Sequence, residues 1–152
     1  MKKVLLAVDD TKGSKSALRI FIDLFARMRP EKVILLHVQQ FSGKSVLHNR
    51  ISDTDISALL EALKGTEIQE MLDRKSREIL EYYKKSLEES GVTEIQTSVR
   101  SGHPAEEILK AADEENAELI ILGSKGERRS ILLGSVSREV AERAKVPVLI
   151  GR

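Results

Sequence analysis

The stretch VLLAVDD, residues 4–10, decides the fold of this 152-residue chain. Its five apolar residues have the length and composition of a buried β-strand, and two carboxylates, Asp9 and Asp10, follow directly. Two classes of protein place acids at a strand end in this way. One class uses them to hold a divalent metal for phosphoryl transfer, and the other uses an acid to recognise a nucleotide base.

Four more apolar runs of strand length follow along the chain. They are VILLHV (33–38), the alternating EIQTSV (94–99), ELIIL (118–122) and VPVLI (146–150). Helical patterns lie between them, at residues 14–28, about 66–90, 104–115 and 134–144. This alternation predicts an α/β fold in a single domain over residues 1–152, with an open, mainly parallel five-stranded sheet and helices on both of its faces.

Local signals predict which strands lie at the edges of the sheet. In EIQTSV, the residues Ile95, Thr97 and Val99 share one face and polar residues share the other, which is typical of a half-exposed edge strand. Pro147 cannot donate a hydrogen bond to a neighbouring strand, so the last strand is predicted at an edge, or with that side free. Residues 41–65 are polar and rich in turn formers, and are predicted to form an irregular excursion with a short extra helix at 55–65.

Charge and composition exclude several functional classes. Lys and Arg number 25 against 24 Asp and Glu, so there is no basic excess to bind a nucleic-acid backbone, and nucleic acid is not a predicted partner. Cysteine is absent, which excludes disulfides and thiol chemistry and suits a reducing cytoplasm. Only five apolar residues precede Asp9, too few for a signal peptide or a membrane span. We therefore predict a cytoplasmic protein with no membrane contact.

No motif points to a metal site or to a catalytic residue. The histidines match no metal-ligand spacing, so no metal-binding residue is predicted. Neither a G-x-S-x-G elbow nor an H-E-x-x-H helix is present. The sequence therefore favours a binding protein over an enzyme.

The ends of three strands are predicted to converge on a ligand. In open parallel sheets, ligands bind beyond the carboxyl ends of the strands, where the strand order reverses. Asp9, Val38 and Gly123 occupy those ends in the first, second and fourth runs. The segment GSKGERRSILLGSVSRE (123–139) follows the fourth run and contains the residues Lys125, Gly126, Arg128, Arg129, Gly134, Ser135 and Ser137. Its glycines, hydroxyls, basic side chains and helix start are the parts of a phosphate site, although such glycines also occur where a strand merely ends and a helix begins.

Five segments resemble the universal stress protein family, and the resemblance covers essentially the whole chain. They are VLLAVDDTKGSKSAL (4–18), VILLHV (33–38), SGHPAEEIL (101–109), LIILGSKG (119–126) and LLGSVSREVAERAKVPVLI (132–150). The glycine motif of the nucleotide-binding members is kept in order as Gly123, Gly126, Gly134 and Ser135. Only seven residues, ERRSILL, separate Gly126 from Gly134, which is two fewer than in that motif. The resemblance implies a Rossmann-like sheet with the strand order 3-2-1-4-5.

The resemblance also implies a function and a set of binding residues. The chain is expected to bind ATP or a related adenine nucleotide, with Mg²⁺ accompanying the triphosphate, and to act as a sensor or regulator in a stress response. Asp9 is implied at the adenine and ribose side, and the backbone of Val38 against adenine. The implied phosphate contacts are Gly123, Gly126, Gly134, Ser135, Val136 and Ser137. No general base is evident beside the phosphates, so hydrolysis is expected to be slow or absent. A homodimer paired through the strand Val146–Ile150 is implied as well, because that strand otherwise leaves an apolar edge open.

Two alternative functions remain open at this point. A family member that has lost its nucleotide would act as a dimeric interaction module, and the shortened loop favours this reading. A phosphoreceiver domain also ends its first strand in paired acids, but it needs a third Asp at the end of a later strand. Asp53 and Asp55 are the only candidates by position, and they follow HNRIS rather than an apolar strand.

Overall fold

Strands and helices alternate along the chain, as the sequence predicts. The structure is a computed structural model that describes residues 1–40, 67–124 and 133–152. The elements within those residues are β1 (Lys3–Ala7), α1 (Lys12–Met28), β2 (Lys32–Gln39), α2 (Glu67–Glu89), β3 (Ile95–Ser101), α3 (Pro104–Glu115), β4 (Leu119–Gly123), α4 (Ser135–Arg143) and β5 (Val148–Gly151). The excursion and the short helix predicted at 41–65 lie outside the described residues.

The five strands form one parallel sheet in the order β3-β2-β1-β4-β5. The predicted α/β class and the order 3-2-1-4-5 are thereby confirmed, and β3 and β5 lie at the two edges as expected. A phosphoreceiver domain has the flavodoxin-like order 2-1-3-4-5, so the sheet order excludes that alternative. The order reverses between β1 and β4, which places the predicted binding crevice at the end of β1.

Each face of the sheet buries its own apolar side chains, because successive strand residues point to opposite faces. The core against α1 and α2 contains Val4, Leu6, Val8, Phe21, Val33, Leu35, Ile79, Tyr83 and Leu87. The core against α3 and α4 contains Leu5, Ile34, Leu36, Ala105, Ile108, Ala112, Ile120, Leu122 and Val140. Helices therefore cover both faces, as predicted. None of the helices in the described parts of the chain is both long enough and apolar enough to cross a membrane.

The edge strand β3 is covered on its polar face. Gln96 donates to Glu115 Oε1 on α3 at 2.9 Å, and Arg100 pairs with Glu107 on the same helix at 3.3 Å. On the other face Ile95 packs against the α1 and α2 core, while Val99 is 44% exposed. The polar residues of the alternating pattern thus contact α3, and its apolar residues form the opposite face of β3, which is partly exposed.

Helix α1 begins two residues earlier than predicted because Thr11 caps it. Thr11 has an extended backbone, and its side chain accepts a hydrogen bond from the N–H of Ser14 at 3.3 Å. Gly13 consequently falls in the first turn of the helix, where glycine is otherwise unfavourable.

The first turn of α1 touches the end of β4 backbone to backbone. A Cβ on Gly123 would lie 2.1 Å from the carbonyl carbon of Gly13, and a Cβ on Gly13 would lie 1.9 Å from the carbonyl oxygen of Ser124. One turn further along α1, a Cβ on Gly151 would lie 2.5 Å from the nitrogen of Ala17. Such distances are impossible for real atoms, so this close approach requires glycine.

One buried tyrosine holds α2 to the segment that joins β1 and α1. Tyr83 is 2% exposed, and its hydroxyl donates to the main-chain oxygen of Asp9 at 3.0 Å. Burial raises the pKa of Tyr83 from 10.0 to about 12, because the phenolate would lose its hydration.

Replacing Gly123 with Ala should destabilise the fold. The new methyl group would collide with the backbone of Gly13, and we expect a loss of about 1–3 kcal/mol or more in the free energy of unfolding. Urea denaturation measures the change. Lys12→Ala, an exposed substitution in the same first turn of α1, is the control and should shift stability by no more than about 0.5 kcal/mol. Equal, small effects of both substitutions would contradict the close approach.

Alkaline unfolding should report the burial of Tyr83. The unfolded chain releases the phenolic proton near pH 10.0 and the folded chain near pH 12, so this group's contribution is complete below pH 10 and is lost as the pH rises towards 12. Over that interval we expect the wild type to lose up to about 3 kcal/mol more unfolding free energy than Tyr83→Phe. Urea titrations of both proteins at increasing pH measure the difference. Parallel losses in the two proteins would rule out the raised pKa.

Candidate functional site

The central strand stops before its neighbours do, which leaves a gap that we call the notch. The β1–β2 ladder ends where Ala7 pairs with Leu36, and the β1–β4 ladder ends where Leu6 pairs with Ile121. Strand β2 continues to Gln39 and β4 continues to Gly123. Both neighbours therefore run past the end of β1 and form the two walls of the notch.

The backbone of Val38 faces the notch. Along β2, the N–H of Lys32 and the C=O of Leu36 bond towards β1. The N–H of Val33 and the C=O of Gln39 bond in the direction of β3. Because successive residues of a strand alternate between its two sides, Val38 directs its N–H and C=O towards β1. It does so two residues beyond the last β1–β2 pair, where no strand remains to meet them.

The backbone of Gly123 faces the notch from the opposite wall. The N–H groups of Ile120 and Ser124 bond towards β5. The residues that alternate with them point towards β1, and Gly123 lies two residues beyond the last β1–β4 pair. The notch is thus flanked by two stretches of strand backbone that extend beyond their pairing with β1.

A cavity of about 260 Å³ occupies the notch. Asp9, Val38 and Gly123, the three strand ends that the sequence predicts to converge, all line it. Its walls on the α3 and α4 face are apolar and include Leu36, Pro104, Ile108, Leu122 and Val136. On the α1 and α2 face the lining includes the polar residues Asp10, Thr11, Ser14, His37, Lys75 and Ser76. Val8, Leu72 and Ile79 line this face as well, so the cavity has one apolar side and one side of mixed character.

The carboxylate of Asp9 is oriented by its neighbour in sequence. Its Oδ1 accepts from the N–H of Thr11 at 2.8 Å and from the hydroxyl of Thr11 at 2.5 Å. Within the described part of the chain Oδ2 has no hydrogen-bond partner. One oxygen thus fixes the orientation of the carboxylate, and the other stays available to a ligand.

Three side chains bond to the main chain where it leaves the ladder. The C=O of Val8 accepts from Nδ1 of His37 at 2.9 Å, and since a carbonyl can only accept, Nδ1 carries a proton. The N–H of Asp9 donates to Ser14 Oγ at 2.9 Å, and the C=O of Asp9 accepts from Tyr83. His37, Ser14 and Tyr83 therefore replace the strand partners that β1 loses at the notch.

Asp10 is an exposed acid at the mouth of the cavity. Its carboxylate lies 3.1 Å from Nζ of Lys75 on α2, and both side chains are 61% exposed. The hydrogen bond from the Lys75 ammonium lowers the pKa of Asp10. No group of three or more potential metal ligands occurs within residues 1–40, 67–124 and 133–152. Asp10 acts here as a surface ion-pair partner, and such pairs contribute little to stability.

Helix α4 begins at the predicted position beside the cavity. Gly134 precedes it as the N-cap without a side-chain cap, Ser135 is exposed, and Val136 lines the cavity. Ser137 is 1% exposed, and its hydroxyl donates to the carbonyl of Gly134 at 3.0 Å. The helix start thus offers backbone N–H groups, whereas the Ser137 hydroxyl is engaged within the helix. Gly126 and its basic neighbours at 125, 128 and 129 lie outside the described residues.

Gly123 is a glycine for a reason that the sequence did not reveal. From the sequence we predict it as part of a phosphate site, or as a glycine at which a strand merely ends. Among the described glycines only Gly91 and Gly102 have a positive φ, so Gly123 forms no left-handed turn. Its missing side chain accommodates Gly13 instead, while its backbone still lines the notch.

A buried polar cluster, which the sequence analysis missed, fixes the end of β2 next to Val38. Gln39 is 4% exposed, and its Nε2 donates to Asp73 Oδ1 and to Ser76 Oγ, each at 2.9 Å. Its Oε1 accepts from the hydroxyl of Ser101 at 3.1 Å. Helix α2 and strand β3 therefore both hold the side chain of Gln39.

Gly13, Tyr83 and Lys75 are also absent from the sequence-based site. A glycine two residues after a helix cap was a usable signal for Gly13, since glycine weakens a helix unless close packing requires it. Tyr83 and Lys75 belong to a long amphipathic helix whose pattern shows only which face is buried. Their contacts with the β1–α1 segment depend on tertiary packing.

Comparison with known proteins gives matches over the whole length. Residues 1–152 match the Universal stress protein family. Universal stress protein MJ0577 of Methanocaldococcus jannaschii is 32% identical over 98% of this chain and 93% of that protein. Universal stress protein YxiE of Bacillus subtilis is 34% identical over 99% of this chain and 98% of that protein.

Solved structures share the fold. The structure of MJ0577 has a TM-score of 0.76 at 31% identity, and the match covers 99% of this chain and 94% of that one. A universal stress protein in complex with cAMP has a TM-score of 0.66 at 23% identity, covering 99% and 97% of the two chains. A family member from Arabidopsis thaliana with AMP bound has a TM-score of 0.67 at 20% identity, covering 99% and 90%. The family match over residues 1–152 and the two whole-length relatives show that this chain belongs to the universal stress protein family.

Proposed function

We propose that this protein binds ATP or a related adenine nucleotide in the notch and acts as a cytoplasmic sensor or regulator. The observation that carries the proposal is the pair of backbone stretches at Val38 and Gly123 that face the notch beyond the end of β1. Backbone N–H and C=O groups are strong donors and acceptors that need partners when they are covered. The edge of a purine base carries donors and acceptors that can meet them. The bound cAMP and AMP of two structural relatives support this ligand class.

The apolar side of the cavity suits the face of a base. Ile108, Leu122 and Val136 line it, and an aromatic base that covers them would remove apolar surface from water. Orientation would come from the polar groups at the notch. This combination of apolar wall and few polar anchors is typical of small-molecule sites.

Asp9 would recognise the ribose side of the ligand. Its Oδ2 can accept a hydrogen bond from a ribose hydroxyl or from an amino group, while Oδ1 stays bonded to Thr11. A carboxylate held in one orientation loses little freedom when it binds, which favours affinity.

The phosphates would lie at the start of α4. Gly134, Ser135 and Val136 present the unpaired N–H groups and the positive dipole end that anions favour. Mg²⁺, when it accompanies the triphosphate, would supply charge compensation there. This chain's own part is to orient the phosphates through its backbone.

Binding without rapid hydrolysis is the activity we propose. On the α3 and α4 side, the titratable side chains of His103 and Glu139 pair with each other at 3.0 Å. Neither side chain lines the cavity, so neither is placed to activate a water beside a ligand bound there. Retention of the bound nucleotide suits a sensor better than turnover does.

We also propose that the protein pairs as a homodimer through β5. Val148, Leu149 and Ile150 are only partly buried at this edge of the sheet. An apolar edge strand presents unpaired backbone groups, and a second copy related by a two-fold axis can cover them.

Nucleotide binding should depend on Asp9 and on Gly134 in different ways. We expect Asp9→Ala to weaken the binding of both adenosine and ATP by roughly 10- to 100-fold, because a charged hydrogen-bond acceptor is lost. Gly134→Val should weaken the binding of ATP and leave the binding of adenosine unchanged. Calorimetric titration with and without Mg²⁺ measures both effects. Lys84→Ala is the control, since Lys84 pairs with Glu88 on α2 and does not line the cavity.

The same samples decide between nucleotide binding and the interaction module. If the purified protein releases no nucleotide on denaturation and gives no binding heat at millimolar ATP, the nucleotide-free module is the correct reading. Indifference of ATP binding to both substitutions would place the ligand elsewhere. Rapid release of inorganic phosphate from ATP would contradict binding without turnover.

The dimer should depend on the edge of β5. We expect Val148→Lys to convert the dimer to a monomer, because a charge would be buried unpaired against the second copy. Light scattering on eluting protein measures the mass. Val99→Lys places the same charge on the opposite edge strand, β3, and should leave the dimer intact. A dimer that persists in Val148→Lys would refute pairing through β5.

A further inference from the structure

We propose that Tyr83 is a positioning residue for Asp9, through which helix α2 controls the base and ribose end of the nucleotide site. This inference rests on the proposed function, because it concerns the same ligand. Tyr83 does not line the cavity and would not touch the ligand. It would act through the main chain of Asp9.

The hydrogen bond of Tyr83 lies at the point where the chain leaves the sheet. Its hydroxyl donates to the C=O of Asp9 at 3.0 Å, past the last β1–β2 pair. Without this donor, the carbonyl has no other hydrogen-bond partner among the described residues. The peptide that follows Asp9 would then lose one anchor, and the direction of the carboxylate into the notch would rest on the bonds from Thr11 and on the Asp9 N–H bond to Ser14 alone.

The position of the hydroxyl is set by α2. The ring of Tyr83 is buried in the same core as Ile79 and Leu87, one helical turn before it and one turn after it. The ring therefore cannot move without a shift of the helix. Phe at this position keeps the ring and removes only the hydroxyl.

Helix α2 also holds the β2 wall of the notch. Asp73 and Ser76 both bind the amide of Gln39, the neighbour of Val38. One rigid helix thus anchors Asp9 through Tyr83 and the end of β2 through Gln39. A displacement of α2 would alter both contacts with the base and ribose end and would leave the start of α4 in place.

Tyr83→Phe should weaken the binding of adenosine and of ATP by the same factor, about 3- to 10-fold, since one hydrogen bond that orders Asp9 is lost. Tyr82→Phe is the matched control. Tyr82 is the next residue on the same helix, is 52% exposed, and its hydroxyl has no hydrogen-bond partner among the described residues. It should bind both ligands as the wild type does. A loss confined to ATP, or an equal loss in Tyr82→Phe, would overturn the proposal.

A double-mutant cycle separates positioning from a general structural role. In the Asp9→Ala background, Tyr83→Phe should cause no further loss of adenosine affinity, because the carboxylate through which it acts is gone. A general loosening of the fold would instead add its effect to that of Asp9→Ala, and additive losses would overturn the proposal.

A second variant covers the case in which Tyr83→Phe does not fold. Ser14→Ala removes the acceptor for the N–H of Asp9, and it should show the same coupling to Asp9→Ala. Additive losses here would also overturn the proposal. If the wild type binds no adenine compound, both the proposed function and this inference are wrong. A wild type that binds adenosine while Tyr83→Phe binds it equally well would remove only the positioning role.

Discussion

The contact between Gly13 and Gly123 is the constraint from which the notch follows. Because the first turn of α1 lies directly on the end of β4, the chain has to leave β1 early enough to reach that position. Strand β1 therefore stops while β2 and β4 continue past it. A side chain at either glycine would push the helix away from the strand by more than a packed core tolerates. The site is thus a consequence of helix-to-sheet packing before it is a consequence of any functional side chain.

Because β1 leaves the ladder early, the backbone groups at its end lose their partners on the neighbouring strands. The fold has to supply other hydrogen-bond partners for them. A buried N–H or C=O without a partner costs about 1–3 kcal/mol. His37, Ser14 and Tyr83 supply the missing partners for Val8 and Asp9. No buried side-chain nitrogen or oxygen in the described parts of the chain lacks a hydrogen-bond partner. Side chains thus form hydrogen bonds with the main chain that follows β1. The backbone of Val38 and Gly123, in the two walls, still faces the notch.

The sequence was sufficient for the α/β class and for the edge strands because the signals for both are local. Apolar runs and helical periodicity lie within each element, and the carboxyl ends of parallel strands must meet at one edge, so the convergence of Asp9, Val38 and Gly123 could be predicted. The strand order came from the family resemblance. The purpose of Gly123 could not be predicted, because it depends on Gly13, more than a hundred residues earlier in the chain. Tyr83 was recognised only as part of a helix that covers the sheet, since periodicity does not indicate where a buried hydroxyl finds its acceptor.

The two ends of the proposed ligand depend on different parts of the structure. The base end would be shaped by strand lengths and by α2, and recognition by backbone would make it insensitive to most side-chain changes. The phosphate end depends on the start of α4 and on the segment that joins it to β4. The two residues by which the glycine motif is shorter fall between Gly126 and Gly134, outside the described strands, so their effect would fall on the phosphate end of the proposed ligand. A motif judged by its glycine spacing therefore describes one end of the site, while the other end is encoded in where a central strand stops.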